Sequence, residues 1–290
     1  MRLCQFEGGV GLVEGSEFRD VSAVLKRLPS SVYPPVRGDA LIAALPVLRS
    51  DILELARKSE PRPLSSVHLK SPVRAPGKLI AAPVNYQDHL DEAIADTETF
   101  SRAHVRRIEE TGLFLKATSS MIGPDDAIRI GFPERRTDHE VELAVVIGQA
   151  CRNVPRERAL EVVAGYCIGL DITIRGPEER SLRKSIDSYS VLGPWLVTAD
   201  ELGNPSSLAL ELDVDGEPRQ RANTRDLIID VPGLIAFASR WYTLDPGDVI
   251  YTGTPAGVGP IVAGNRVRAS IERIGELNME VAAERATTSS

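Results

Sequence analysis

Cysteine is scarce. The 290 residues hold three, Cys4, Cys151 and Cys167, far apart and without a Cys-x-x-Cys pair. An odd, scattered set argues against a disulfide framework and a thiolate zinc site, and it suits a reducing compartment. A basic excess is missing as well: Lys and Arg number 34 against 41 Asp and Glu, a formal charge of −7. Without a global positive field the chain is not expected to bind nucleic acid. No apolar run reaches the roughly 18 residues needed to cross a bilayer. The opening MRLCQFEGGVGLVEG lacks the basic-then-apolar order of a secretory leader. A cytoplasmic protein with no membrane partner is the expectation. Several catalytic signatures are absent too. GVGLV (9–13) is followed by Glu14 where a dinucleotide loop needs Gly, GTPAGVGP (253–260) lacks the Gly-Lys-Ser/Thr of a phosphate loop, and neither G-x-S-x-G nor H-E-x-x-H occurs.

What is present suffices for a sizeable core: 42% of residues are hydrophobic and 26% charged. RLCQFEGGVGLVEG reads as two short strands about a Gly8-Gly9 turn, followed by helical patterns at Val21–Lys26 and Leu41–Lys58. Pro61, Pro63, Pro72 and Pro76 then punctuate the chain and place a boundary near 60–76. The expected division is a small N-terminal domain over 1–70, a second domain over 71–285 and a flexible tail at 286–290. Strands are expected at 79–84, 141–148, 162–174, 193–199, 208–216 and 248–253, with helices over 88–112 and 234–242. Strands outnumber helices without regular alternation, which favours a β-rich α+β fold over a doubly wound sheet.

Acidic residues dominate the candidate chemistry. Glu140 and Glu142 stand two apart at the head of an apolar strand, so period 2 puts both carboxylates on one face. Asp171 ends the run VAGYCIGL, where a carboxylate is costly unless paired or metal-bound. Three carboxylates with no neighbouring thiolate or His cluster suit a hard ion such as Mg²⁺ or Mn²⁺. The same Glu-x-Glu spacing also describes an ordinary solvent-facing strand edge. His89 and Glu92 stand at i, i+3 on a helical pattern, where the carboxylate can fix the imidazole tautomer and make the other nitrogen a base. A solvated helix start has that spacing too. His68, His104 and His139 have no such partner and read as structural or surface residues. Lys184 and Arg175 are cations able to neutralise a substrate carboxylate or a developing enolate, and each alone is equally a surface charge. The segment 88–112 is strongly polar, with few apolar contacts in its body, which predicts weak docking and closure over a ligand.

Taken in order, VNYQDHLDEA (84–93), FLKATSSMIGP (114–124), DHEVELAVVIG (138–148), VAGYCIGLDITIRG (163–176), KSIDSYSVLGPWLVT (184–198) and LDPGDVIYTGTPAGVG (244–259) resemble the fumarylacetoacetate hydrolase family. The resemblance covers about residues 70–270, and the N-terminal segment looks like the small α/β leading domain of many bacterial members. It implies a mixed β-roll catalytic domain assembled as a homodimer. It implies Mg²⁺ or Mn²⁺ on Glu140, Glu142 and Asp171, a His89–Glu92 dyad, and Lys184 near the metal. Arg175 and Thr254 are implied at the substrate. The implied reaction is metal-dependent C–C hydrolysis of acylpyruvate-type 2,4-dioxo acids through a pyruvate enolate. Decarboxylation of an oxo diacid such as oxaloacetate, or isomerisation, tautomerisation or hydration of unsaturated 2-oxo acids, would use the same motifs. A non-catalytic binding protein would be expected to show a damaged ligand set or base, and neither is seen. Three positions depart from the family's habit: Gly176 replaces an Asp, Glu178 a Gln, and His139 an aromatic residue. The pocket is therefore expected to differ while the metal ligands are kept.

Overall fold

The computed structural model describes residues 1–29, 37–96 and 108–284. Its spine is a 12-stranded sheet whose centre is built from the apolar runs anticipated above. Val141–Ile147 lies between Val163–Asp171 and Val249–Tyr251, antiparallel to both. Ser190–Thr198 pairs with the far edge of Val163–Asp171, while Leu79–Ala81 and Phe114–Lys116 extend the sheet beyond Val249–Tyr251. The N-terminal strands Arg2–Phe6, Gly9–Glu14 and Glu17–Asp20 continue the same sheet, because Arg2–Phe6 pairs with Ser190–Thr198.

Both faces of Val141–Ile147 are covered, which is why the strand is buried throughout and apolar apart from Glu142. Val141, Leu143, Val145 and Ile147 pack into a cluster shared with Leu210, Val267, Ile271 and Leu277 of a separate five-stranded sheet. Ala144 and Val146 point the other way, into a cluster with Ile42, Leu45, Leu48 and Ile52 of the helix Ala40–Lys58. Asp39 caps that helix, accepting from Leu41 and Ile42 N–H with one oxygen and from Arg74 and Ala75 N–H with the other. Glu140 and Glu142 share the face of Ala144 and Val146, so the strand's period carries them off the end of this second cluster.

The mixed, β-rich architecture is the one expected, with differences of detail. Residues 22–27 form a short 3₁₀ segment in place of an α-helical turn. The run 162–174 breaks at Ile172 into Val163–Asp171 and Thr173–Ile174. Among the strands that were not anticipated are Glu217–Asn223, Arg266–Ile271 and Gly275–Ala283, all in the five-stranded sheet. The first returns from Ala209–Val214 through Asp215-Gly216, both at positive φ, the geometry that closes a tight hairpin. The helical expectation over 88–112 is met at Gln87–Ala95 and Ile108–Thr111, and 97–107 fall outside the described residues, as do the tail and His104. Among the described residues, no helix is long and apolar enough to cross a membrane.

Candidate active site

The sheet brings the acidic residues together. Val141 pairs with Leu170 and Glu142 with Gly169, which sets Glu140 beside Asp171, whose N–H donates to the Glu140 carbonyl at 2.9 Å. One carboxylate oxygen from each of Glu140, Glu142 and Asp171 lies within 4.8 Å of the others, and all three side chains are buried. The solvent-edge alternative for Glu-x-Glu therefore does not describe this strand: Glu142 is 1% exposed.

Burying three carboxylates is costly unless cations or donors answer them. Lys184 Nζ donates to Glu140 at 2.6 Å, to Asp171 at 2.7 Å and to Thr173 Oγ1 at 2.7 Å. Lys116, itself buried, bonds the other Asp171 oxygen and donates to the Tyr189 carbonyl at 2.8 Å. Arg175 bridges Asp138 at 2.7 Å and Glu140 at 3.2 Å. Burial opposes ionisation of Glu140, yet Lys184, Arg175 and His89 outweigh it and hold its carboxyl below the usual range. Glu142 is different. It accepts from Gly253 N–H at 2.5 Å, but among the described residues no ammonium or guanidinium group bonds it. Burial and the adjacent Asp171 push its carboxyl well above the ordinary value. A buried all-oxygen triad with one carboxylate left without a cation fits a hard divalent ion, which would supply the missing charge.

The dyad is assembled beside this triad. Gln87–Ala95 starts where Asn85 pins the chain, donating to the Thr252 and Ile229 carbonyls at 2.8 and 2.9 Å. His89, 4% exposed, meets Glu92 Oε2 through Nδ1 at 2.9 Å. The other Glu92 oxygen accepts from Gly257 N–H at 3.0 Å. The loop 253–257 thus touches a triad member at one end and the dyad at the other.

Arg175 and Thr254, expected at the substrate, both bond groups of the protein itself. Arg175 is committed to Asp138 and Glu140, and the Thr254 hydroxyl donates to the Val141 carbonyl at 3.0 Å while accepting from Gln220 at 2.8 Å. The structure also adds residues that sequence reading passed over: Lys116, Gln220 and the backbone N–H groups of Gly253 and Gly257. Lys116 sat inside a motif already quoted, FLKATSSMIGP, so an ammonium within an otherwise apolar strand was the available signal.

The departures have a physical account. Arg135 grips Glu178 with two hydrogen bonds at 2.7 and 3.0 Å and donates to the Arg175 carbonyl at 2.8 Å. Its guanidinium then crosses Gly176, where an added Cβ would lie 2.0 Å from Nη2. Gly176 and Glu178 therefore form one arrangement with Arg135. His139 is fully buried, its Nδ1 3.2 Å from Gln220 Oε1.

Residues 78–282 match the family model "Fumarylacetoacetate (FAA) hydrolase C-terminal". The maleylpyruvate hydrolase of Aquipseudomonas alcaligenes is 51% identical over 284 residues, spanning 97% of this chain and 99% of that protein. A crystal structure of maleylpyruvate hydrolase from Sphingobium sp. SYK-6, in complex with manganese(II) ion and pyruvate, is 40% identical and superposes with a TM-score of 0.85 over 98% of this chain and 100% of that one. A 5-carboxymethyl-2-hydroxymuconate delta-isomerase from Mycobacterium smegmatis is 30% identical, with a TM-score of 0.72 over 99% of this chain and 100% of that one. With a model matched across its sheets and relatives aligned end to end, the chain belongs to the fumarylacetoacetate hydrolase family.

Proposed function

We propose that this protein hydrolyses acylpyruvates, with maleylpyruvate or a close analogue as substrate, at the bond between C3 and C4. The observation that supports this most is the placement of a His–Glu dyad against a buried carboxylate triad, joined by the loop 253–257. Glu140, Glu142 and Asp171 would hold Mg²⁺ or Mn²⁺, which when bound supplies Lewis acidity toward the oxygens of a 2-oxo acid.

The remaining steps belong to the chain's own residues. With Nδ1 protonated toward Glu92, His89 presents Nε2 as the base that takes a proton from water. That water adds to the C4 carbonyl, the C3–C4 bond breaks, and its electron pair leaves with C3 as pyruvate enolate. Lys184, fixed between Glu140 and Asp171, places a positive charge beside the acidic centre where this enolate forms. A proton delivered to C3 completes pyruvate, and C4 departs as the carboxylate of the second acid. Arg175 acts on the ligand side, neutralising Glu140 and Asp138, and Thr254 anchors the loop.

A cytoplasmic homodimer completes the reading. The unpaired thiols of Cys4, Cys151 and Cys167 support a reducing compartment, and exposed Trp241 and Leu182 support an apolar contact between copies. The test is to strip the purified protein with a chelator and add back Mg²⁺, Mn²⁺ or Zn²⁺ in the presence of maleylpyruvate. Pyruvate and a dicarboxylic acid should appear in equal amounts with Mg²⁺ or Mn²⁺. Full turnover by the stripped protein would overturn the metal assignment, and carbon dioxide as product would overturn the hydrolysis.

A further inference from the structure

Gln220 lies on Glu217–Asn223, a strand that supplies none of the triad or dyad, and is 2% exposed. Both ends of its amide are engaged. Nε2 donates to the Pro255 carbonyl and to Thr254 Oγ1, each at 2.8 Å, and Oε1 accepts from Val141 N–H at 3.0 Å. Because a carbonyl only accepts, the Pro255 contact fixes which end of the amide is nitrogen. His139 Nδ1, facing Oε1 at 3.2 Å, must then carry its ring's proton.

These contacts reach both halves of the site. Val141 separates Glu140 from Glu142. Thr254 and Pro255 lie between Gly253, whose N–H binds Glu142, and Gly257, whose N–H holds Glu92. The same strand supports the loop a second time. Gly257 has φ +91°, and a Cβ there would stand 2.1 Å from the Arg219 carbonyl oxygen. No other residue type fits that approach.

We propose that Gln220 is a positioning residue that clamps the strand of Glu140 and Glu142 to the loop 253–257, and so sets the dyad's distance from the triad. Its kinetic readout rests on the hydrolase reading above; the other two readouts do not.

Gln220→Glu and Gln220→Leu, made in the full-length protein, separate the contacts. The carboxylate still accepts from Val141 and His139 but cannot donate to Thr254 or Pro255, whereas Leu loses all four. Both variants should lower kcat by about 10–100-fold, the range for residues that support a metal site from behind. Amide exchange at Gly253 and Gly257 should quicken in both while Ala209–Val214 is unchanged. The Mn²⁺ Kd should weaken more for Gln220→Leu than for Gln220→Glu. Combined with Glu92→Gln, the kcat loss should fall well short of the product of the single losses. Near-isosteric Gln220→Glu is the deciding variant if thermal unfolding shows that Gln220→Leu is damaged throughout. Unchanged exchange at Gly253 and Gly257 with multiplicative kcat losses would overturn the proposal. A parent protein that hydrolyses no acylpyruvate would instead defeat the functional reading, leaving exchange and Mn²⁺ affinity to decide the role of Gln220.

Discussion

Glu92→Gln changes one atom and poses a problem that the site has no way to solve. The native carboxylate accepts twice, from His89 Nδ1 at 2.9 Å and from Gly257 N–H at 3.0 Å. An amide of the same shape has one acceptor and one donor group. If its oxygen faces Gly257, its NH₂ faces His89 and selects the tautomer with a lone pair on Nδ1. The proton then sits on Nε2 and the base is blocked. If the oxygen faces His89, donor opposes donor at Gly257 and the loop loses its tether, leaving a half-buried N–H unpaired at a cost of about 1 kcal/mol, the low end for such groups. The first arrangement avoids that cost and should dominate. Losing a general base lowers rate by roughly 10²–10⁴-fold, or about 3–5.5 kcal/mol of transition-state stabilisation at 1.36 kcal/mol per decade. The loss should fall on kcat with KM little changed, because Glu92 is placed on the imidazole and not on the substrate. The assay is steady-state loss of the acylpyruvate's enol absorbance at saturating Mn²⁺, with Mn²⁺ affinity measured in parallel and expected to hold. A variant within about threefold of the parent kcat would refute the tautomer argument.

Two further outcomes follow from the same geometry. Glu142→Gln should weaken Mn²⁺ binding markedly in calorimetry, because it replaces the one triad carboxylate that no cation of the described residues hydrogen-bonds with a neutral, weaker oxygen ligand; unchanged affinity would place the ion elsewhere. Gly257→Ala should lower unfolding stability by roughly 1–3 kcal/mol in urea titration, since φ is +91° and the methyl meets the Arg219 carbonyl. It should also lower kcat through Glu92, and an unchanged urea midpoint would contradict the close approach.

Local pattern made some of this legible and hid the rest. Period 2 put Glu140 and Glu142 on one face of Val141–Ile147, and i, i+3 spacing put His89 against Glu92, because both relations are set within a single element. Burial of Glu140 and Glu142 was not legible. Glu142 is inside because the neighbouring strands cover it, and the same dipeptide pattern at a sheet's rim would be solvated. Lys116 and Gln220 were missed for that reason: each acts across the fold, Lys116 on Asp171 at a separation of 55 residues and Gln220 on Val141 and Thr254 at 79 and 34. Gly253 and Gly257 act through backbone N–H groups, which every sequence contains. The missed strands had a readable signal. Arg266–Ile271 and Gly275–Ala283 alternate buried and exposed positions, and Asp215-Gly216 is a hairpin turn. Weak docking of 88–112 was inferred from polarity alone, yet His89 and Leu90 are buried and Glu92 is tethered to Gly257 in the part described.

In the proposed reaction His89 delivers water to a carbonyl beside a carboxylate-held divalent ion. Turnover of maleylpyruvate with Mn²⁺ in H₂¹⁸O, read by mass spectrometry of both products, tests it most directly. One ¹⁸O per turnover should appear in the carboxylate of the released dicarboxylic acid, with incorporation slowed in step with kcat in His89→Ala. Isomerised or decarboxylated product without ¹⁸O in a newly formed carboxylate would contradict it.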